Sequence, residues 1–354
     1  MTDETPEADR AEGAPHPRMA AAVFGQDAAA AAFLAAFNAG RLHHAWLMTG
    51  PRGVGKATLA WALARFLLAT PDDDGGMFAP PPPATLDVPA DHPVARRMRA
   101  LAEPRLFLLR RPWDESAKRL KAVIPVDEVR RLQSFLRLSA ADGGRRAVIL
   151  DAADDMNPEA QNALLKLLEE PPRGVTFLLV AHQPMRLLPT IRSRCRTLPL
   201  APLPPEALTA ALAQAGVAGA GAALAELAGG SAGDAARLIE GGGVAVYAAL
   251  AALFARAARG EGFDIAVTLI DRLLARAARA GATGAPPPEA VPGEAAALSR
   301  LAPDADAARA VAGLAQTLGA RARAGRAVNL DPAALVLDML LKVDAATAAP
   351  GRSR

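Results

Sequence analysis

A glycine-rich turn between an apolar stretch and a helical pattern constrains this fold more than any other feature. Residues 45–49 are apolar and predict a strand, and the helical pattern after the turn runs to about Leu68. The turn and the first helical residues are Gly50, Pro51, Arg52, Gly53, Val54, Gly55, Lys56, Ala57 and Thr58. Such a turn points backbone N–H groups at phosphate oxygens at the start of a helix, and its lysine reaches the β and γ phosphates. The sequence therefore predicts a P-loop with these residues as nucleotide contacts.

A second predicted strand carries the acidic partner of this loop. Residues 147–151 are apolar and end in Asp151, the acid that polarises a magnesium-bound water in P-loop proteins. Ala57 stands where a hydroxyl usually holds Mg²⁺, and Thr58 lies about 100° further round the helix. Ala152 stands where a glutamate prepares the attacking water. We therefore expect poor ATP hydrolysis, and the sequence leaves open whether ATP and Mg²⁺ bind.

Strand and helix patterns alternate along the first two hundred residues. Strands are also predicted at 106–109, 176–181 and 197–200, and helices at 27–38, about 125–138 and 158–170. This alternation predicts an α/β fold with a parallel sheet that helices cover on both faces. From residue 206 onward only helical periodicity is visible, and the last helix is predicted to begin with Asp331 as its cap and Pro332 as its first residue.

These patterns divide the chain into predicted segments. We expect a disordered tail over 1–18, an α/β domain over 19–201, a small helical domain over 202–243, a larger helical domain over 244–347 and a tail over 348–354. Residues 71–93 are rich in proline, aspartate and glycine and predict an exposed insertion in the α/β domain.

Charge and cysteine content exclude several classes of protein. Cys195 is the sole cysteine, so neither an intrachain disulfide nor a cysteine-based zinc site can form. We interpret Cys195 as a buried structural residue and the pair His43 and His44 as packing residues rather than metal ligands. Neither a signal peptide nor a membrane-spanning segment is visible, so a cytoplasmic protein with no membrane partner is expected.

The basic residues permit a local positive face. The chain has 40 basic and 37 acidic residues, a net charge of +3, which by itself does not require a nucleic acid partner. One cluster comprises Arg110, Arg111, Lys118, Arg119 and Lys121. Contact with DNA phosphates and a solvated face are both open for this cluster.

Three arginines at a spacing of two follow the strand predicted at 176–181. They are Arg192, Arg194 and Arg196, and an extended segment would project them from one side. They form either the solvated face of an edge strand or an arginine finger aimed at the γ-phosphate of a neighbouring subunit.

Several segments carry a resemblance to a known family. Residues 162–172, which read Asn-Ala-Leu-Leu-Lys-Leu-Leu-Glu-Glu-Pro-Pro, the triplet Ser193-Arg194-Cys195 and the order of the P-loop motifs resemble the bacterial clamp-loader branch of the AAA+ family. Shorter segments are similar to its delta-prime subfamily in the alphaproteobacterial form: 44–47, 126–130, 143–146 and 329–331. The resemblance covers about residues 19–345.

The resemblance implies an AAA+ P-loop domain followed by a small helical lid and an all-helical collar through which subunits assemble. It also implies a rigid, non-hydrolysing end subunit of a heteropentameric clamp loader in the DNA polymerase III holoenzyme. Arg194 would be the finger that completes the ATP site of an adjacent subunit, while Lys56 and Asp151 line this chain's own pocket. The implied partners are the delta and gamma/tau subunits and, indirectly, the sliding clamp and primer-template DNA.

Further positions depart from the family pattern. His182 stands in the region where active loaders carry a phosphate-sensing threonine, and Gly233 stands where the lid normally supplies an arginine. The 71–93 loop replaces a four-cysteine zinc module of many relatives, so no zinc is expected there. With Ala57 and Ala152, these departures favour a non-hydrolysing subunit. The alternatives are an ATP-binding or ATP-hydrolysing motor subunit, and a helical adaptor outside replication that retains a P-loop core.

Overall fold

The computed structural model describes residues 6–10, 14–71, 81–138, 144–217, 221–258, 263–291 and 293–348. These residues form two compact units, Met1–Val244 and Ala245–Arg354. The finer division into a lid and a collar stays a prediction.

The first unit is built on a parallel sheet. Its strands are β1 (Ala45–Thr49), β2 (Leu106–Arg110), β5 (Arg146–Asp151), β6 (Val175–Val180) and β7 (Arg196–Pro199), in the order β2-β5-β6-β1-β7. A small antiparallel hairpin consists of β3 (Trp113–Asp114) and β4 (Arg119–Leu120). The predicted α/β fold with a parallel sheet is confirmed, although the hairpin was not predicted.

Helices surround this sheet and make up the second unit. In the first unit they are α1 (Asp27–Asn38), α2 (Lys56–Ala69), α3 (Pro93–Arg99), α4 (Val126–Leu138), α5 (Pro158–Glu169), α6 (Pro189–Ser193), α7 (Pro205–Gln214), α8 (Ala222–Ala228) and α9 (Ala232–Glu240). Helix α10 (Gly243–Ala258) begins at the boundary, and α11 (Phe263–Thr283), α12 (Glu294–Leu301), α13 (Ala305–Ala327) and α14 (Pro332–Ala348) follow. The helical character predicted after residue 206 is confirmed for the described residues.

Alternate residues of the central strands point into different apolar cores. Trp46 and Met48 of β1 and Ile149 of β5 belong to the core formed with α1 and α2. Leu47 and Val148 belong to the core formed with α4 and α5. Because both faces are covered, the central strands β1, β5 and β6 are almost entirely apolar, and their charged residues stand at the strand ends.

The expectation of a disordered tail over 1–18 is wrong for the part of it that the structure describes. Arg18 Nη1 donates to Glu7 Oε1 over 2.7 Å, Asp9 forms an ion pair with Arg110, and Asp9 Oδ2 lies 2.9 Å from His16 Nε2. Asp9 and His16 are buried. The acidic composition suggested disorder, but here the acids pair with cations next to the carboxyl end of β2, which holds the segment on the domain.

The proline-rich insertion is covered only in part. Residues 72–80 of the predicted 71–93 loop lie outside the described residues. Residues 81–92 are mostly exposed, but Leu86 and Val88 pack partly against the core formed with α1 and α2.

The second unit is a helical domain with its own core. That core includes Leu274 of α11, Val311 and Leu318 of α13 and Val336 of α14. The backbone N–H of Ala334 donates to Asp331 Oδ2 over 3.1 Å, as expected of a helix cap. Within the ranges that the structure describes, no helix is both long and apolar enough to cross a membrane.

Candidate functional site

The glycine-rich loop adopts a conformation that requires glycine. It connects β1 to α2, and Gly50, Gly53 and Gly55 have φ angles of +139°, +73° and +99°. A Cβ atom on Gly50 would overlap the carbonyl oxygen of Leu200, and one on Gly53 would overlap Ser231 Oγ. The loop therefore owes its path both to the left-handed backbone of these glycines and to close contacts around them.

Lys56 is bound to its own loop. Its Nζ donates to the carbonyl oxygen of Gly50 over 2.7 Å and to that of Pro51 over 2.5 Å. The residue is buried, and burial lowers the pKa of its amine to about 8, although the charges of Asp151 and Asp154 oppose this shift. The ammonium group that would bind a phosphate thus has internal acceptors.

Asp151 ends β5 beside this loop, in a buried position. Burial raises the pKa of its carboxyl to about 8, the charge of Asp9 adds to the shift, and Lys56 opposes it. Its Oδ2 atom accepts no hydrogen bond from the residues that the structure describes. The next side chain is that of Ala152, so the strand ends in a single carboxyl without the neighbouring glutamate that hydrolysis needs.

The region predicted as a lid lies directly on the loop. The N–H of Gly233, in the first turn of α9, donates to the carbonyl oxygen of Gly53 over 3.3 Å. Ser231 caps this helix by accepting from the N–H of Asp234 over 3.0 Å. A Cβ atom on Gly233 would lie 3.1 Å from Gly53 Cα, so a side chain at this position requires one of the two backbones to shift slightly.

The turn after β6 is held by an acid that the sequence analysis did not identify. Asp154 is buried; its Oδ1 accepts from the N–H of His182 over 3.0 Å and its Oδ2 from that of Gln183 over 2.9 Å. Burial lowers the pKa of His182 to about 4, and the charges of Lys56 and Arg52 add to this shift, so the imidazole is neutral at pH 7. The acids Asp154 and Asp155, which follow β5, are the signal that could have identified this contact. The turns after neighbouring parallel strands meet at one edge of a sheet, so an acid after β5 can reach the turn after β6.

Ala57 and Thr58 supply no metal-binding hydroxyl at the mouth of the loop. Thr58 instead lines a cavity of about 430 Å³ between α1 and α2, together with Arg65. With Lys56 bound to its loop and Ala152 in place of an acid, these residues do not fit a magnesium nucleotide in the observed arrangement.

The prediction of an extended arginine segment is wrong. Pro189–Ser193 forms α6, since proline favours the first position of a helix. Arg194 follows this helix; its Nη2 contacts Glu169 Oε1 at 2.9 Å, and its Nη1 donates to the carbonyl oxygen of Thr190 over 3.0 Å. The guanidinium group of Arg196 lies over the ring of Trp46 instead, so the arginines do not share one face.

The histidine pair, Cys195 and the basic cluster lie in surroundings that indicate a structural role. His43 and His44 stack on each other with ring centroids 4.4 Å apart. Burial raises the pKa of the Cys195 thiol to about 12, which makes the thiolate scarce at neutral pH. In the basic cluster, Arg110 pairs with Glu7 and Asp9, Arg111 pairs with Asp155, and Lys118 pairs with Glu115.

Comparison with known proteins gives one family match over the first unit. The family model described as "DNA polymerase III, delta subunit" matches residues 25–204. The DNA polymerase III subunit delta' of Pseudomonas aeruginosa is 40% identical over 152 residues, which are 43% of this chain and 41% of that protein. The subunit gamma/tau of Mycobacterium tuberculosis is 30% identical over 264 residues, 74% of this chain and 38% of that protein. The matches thus span less than half the length of these relatives. A solved gamma subunit-related protein of Thermotoga maritima has a TM-score of 0.36 at 15% identity, covering 89% of this chain and 99% of that one.

The contact between Gly53 and the first turn of α9 predicts unequal effects of alanine in the loop. Gly53→Ala places a methyl group on Ser231 Oγ at a positive φ, whereas Gly55→Ala has a positive φ but open space around it. The left-handed backbone alone costs about 1–2 kcal/mol for a residue with a side chain. We expect Gly53→Ala to lower the free energy of unfolding in urea by clearly more than Gly55→Ala. Equal losses would contradict the contact.

The raised pKa of Asp151 predicts a pH dependence of stability. Its pKa is about 8 in the folded chain against a usual 3.8, so folding takes up a proton between these values and the free energy of unfolding falls as pH rises. The depressed pKa of His182 acts with the opposite sign, but below its usual value of 6.5. We expect Asp151→Asn to flatten the slope measured by urea unfolding between pH 6.5 and about 7.5. Asp127→Asn, at an exposed carboxylate, is the control, and an unchanged slope in Asp151→Asn would argue against the protonated acid.

Proposed function

Since this chain belongs to the family described as DNA polymerase III, delta subunit, we propose that it is the delta-prime-type subunit of a bacterial clamp loader. Its partners are then the delta and gamma/tau subunits in the cytoplasm, and through them the sliding clamp and primer-template DNA. The names of its relatives support this assignment, because both are subunits of DNA polymerase III.

Within this role the chain's own pocket does not hydrolyse ATP. The observation that carries this part of the proposal is the ammonium group of Lys56, which is bonded to the carbonyl oxygens of Gly50 and Pro51. For Lys56 to bind a phosphate, its ammonium group has to give up these internal acceptors. Even then, Ala152 leaves the attacking water without a base.

The contribution of the chain to catalysis is Arg194, supplied to the ATP site of a neighbouring subunit. Its side chain is 35% exposed and lies just after α6, where its guanidinium group pairs with Glu169, itself 48% exposed. An ion pair this exposed contributes little to stability and can open when a phosphate approaches. Arginine suits this task because it binds phosphate oxygens in a bidentate manner and keeps its charge.

Assembly is assigned to the second unit. Its helices α11 and α14 expose Leu269, Leu337 and Leu341. These leucines are additional to the residues that form the core of the second unit. Exposed leucines on two helices favour packing against the helices of other subunits.

Replacing Arg194 tests the finger. In a complex reconstituted with its partner subunits, Arg194→Ala is expected to lower the ATPase rate while assembly stays intact. An arginine finger increases the rate of hydrolysis at one site by about 10³–10⁵-fold, so the ATPase rate of the whole complex should fall by the share that this site contributes. Arg130→Ala, at an exposed arginine of α4, is the control. Normal ATPase and clamp loading in Arg194→Ala would contradict the finger.

One alternative has an observation in its favour. The gamma/tau relative aligns with 74% of this chain, and Asp151 is retained, as in an ATP-hydrolysing motor subunit. Titration of the isolated full chain with a fluorescent ATP analogue and Mg²⁺ separates the two functions. We expect no saturable binding to the unmodified chain. Tight binding that Lys56→Ala abolishes would favour the motor subunit.

A further inference from the structure

Asp154 holds the turn that follows β6 with both of its oxygens. The residue lies in a 3₁₀ turn after β5, its side chain is buried, and its carboxylate accepts from the consecutive amides of His182 and Gln183. Consecutive backbone N–H groups that point into one space form an anion-binding arrangement. Here the anion belongs to the chain itself.

The carboxylate of Asp154 also interacts with the lysine of the glycine-rich loop. Its charge acts on the amine of Lys56 and opposes the loss of that proton. In P-loop proteins the corresponding lysine contacts the β and γ phosphates. Asp154 therefore supplies a negative charge that acts on this lysine and also holds the turn after β6.

Residues 184–188 connect this turn to α6, and Arg194 directly follows that helix. A second tie follows the first, because Gln161 of α5 accepts from the N–H of Leu188 over 2.9 Å while its Nε2 donates to the carbonyl oxygen of Met156 over 3.1 Å. Leu187 and Ile191 are buried in the core formed with α4 and α5. Residues 182–188 are thus fixed at both ends, and α6 starts from a defined point.

We infer that Asp154 is a positioning residue for Arg194, an internal anion that fixes residues 182–188 whether or not a nucleotide is present. The inference rests on the proposed function, because it assigns a constant geometry to the finger named there. A subunit of this design presents Arg194 at every stage of its neighbour's ATP cycle, since nothing in its own pocket has to bind or leave first.

A simpler role for Asp154 is a local cap that stabilises the turn and has no influence on Arg194. Both roles predict lower stability for Asp154→Ala. Only the positioning role predicts a loss of kcat that depends on Arg194, so that coupling is the quantity to measure.

The test uses the full chain, alone and reconstituted with its partner subunits. In the isolated chain, Asp154→Ala is expected to speed hydrogen exchange at the amides of His182 and Gln183 and into α6. In the complex, Asp154→Ala is expected to lower the kcat for ATP hydrolysis by up to about 10²-fold, the effect of a misplacement near 1 Å, with KM unchanged.

Asp154→Asn keeps one acceptor oxygen and replaces the alanine variant in these experiments if that variant does not fold. The decrease in kcat and the increase in hydrogen exchange should be smaller in Asp154→Asn. Asp155→Asn, which removes the neighbouring partner of Arg111, is the control and should change neither property.

A double variant decides between the two roles. If Asp154 acts through Arg194, adding Asp154→Ala to Arg194→Ala lowers kcat no further than Arg194→Ala alone. A low kcat in Arg194→Ala beside a normal kcat in folded Asp154→Ala overturns this inference and leaves the proposed function standing. Additive losses in the double variant overturn it as well. A normal kcat in both single variants overturns the proposed function, and the positioning role with it.

Discussion

Burial of the parallel sheet on both faces is the constraint on which the rest of the first unit depends. With helices packed against each side, the strands are apolar in both directions, and polar groups collect where the strands end. The P-loop after β1, Asp151 at the end of β5 and the turn after β6 therefore meet at one edge. Charged and hydrogen-bonding groups that can interact with another molecule therefore lie at that edge or on the outer surface of the domain.

At this edge, the polar groups of the loop, the strand ends and the turn contact one another. Lys56 donates to its own loop, Asp154 accepts from the turn after β6, and Gly233 lies on Gly53. A buried donor or acceptor that lacks a partner destabilises the fold, so these contacts stabilise the edge. The same contacts make the domain suitable as a fixed support for a residue that acts elsewhere.

The sequence allowed accurate prediction of elements that are defined by local pattern. Residues 27–38 and 45–49 coincide with α1 and β1, since the apolar pattern of each segment is local. The extended form predicted for residues 190–196 is wrong up to Arg194, because the helix-starting Pro189 outweighs a period-two pattern over so few residues, whereas Arg196 does begin the strand β7.

Contacts between residues distant in sequence were not predictable. The pairing of Asp9 with Arg110 spans 101 residues, and that of Asp154 with His182 spans 28. The acidic composition of residues 1–18 led to the prediction of disorder, and the sequence pattern did not single out Asp154. In the candidate site, the loop, Lys56 and Asp151 were visible as motifs, whereas the internal acceptors of Lys56 follow only from the folded geometry.

The contact between Gly53 and Gly233 also bears on how such a chain can change over generations. A side chain at Gly53 would overlap Ser231 Oγ, and one at Gly233 would require a small shift of the loop. Under the proposed function, a hydroxyl at Ala57 or an acid at Ala152 would each leave Lys56 bonded to its own loop. Several substitutions would then be needed together to produce a working ATPase. In that case the steric contact at these two glycines would help to preserve the proposed division of labour between this chain and its neighbours.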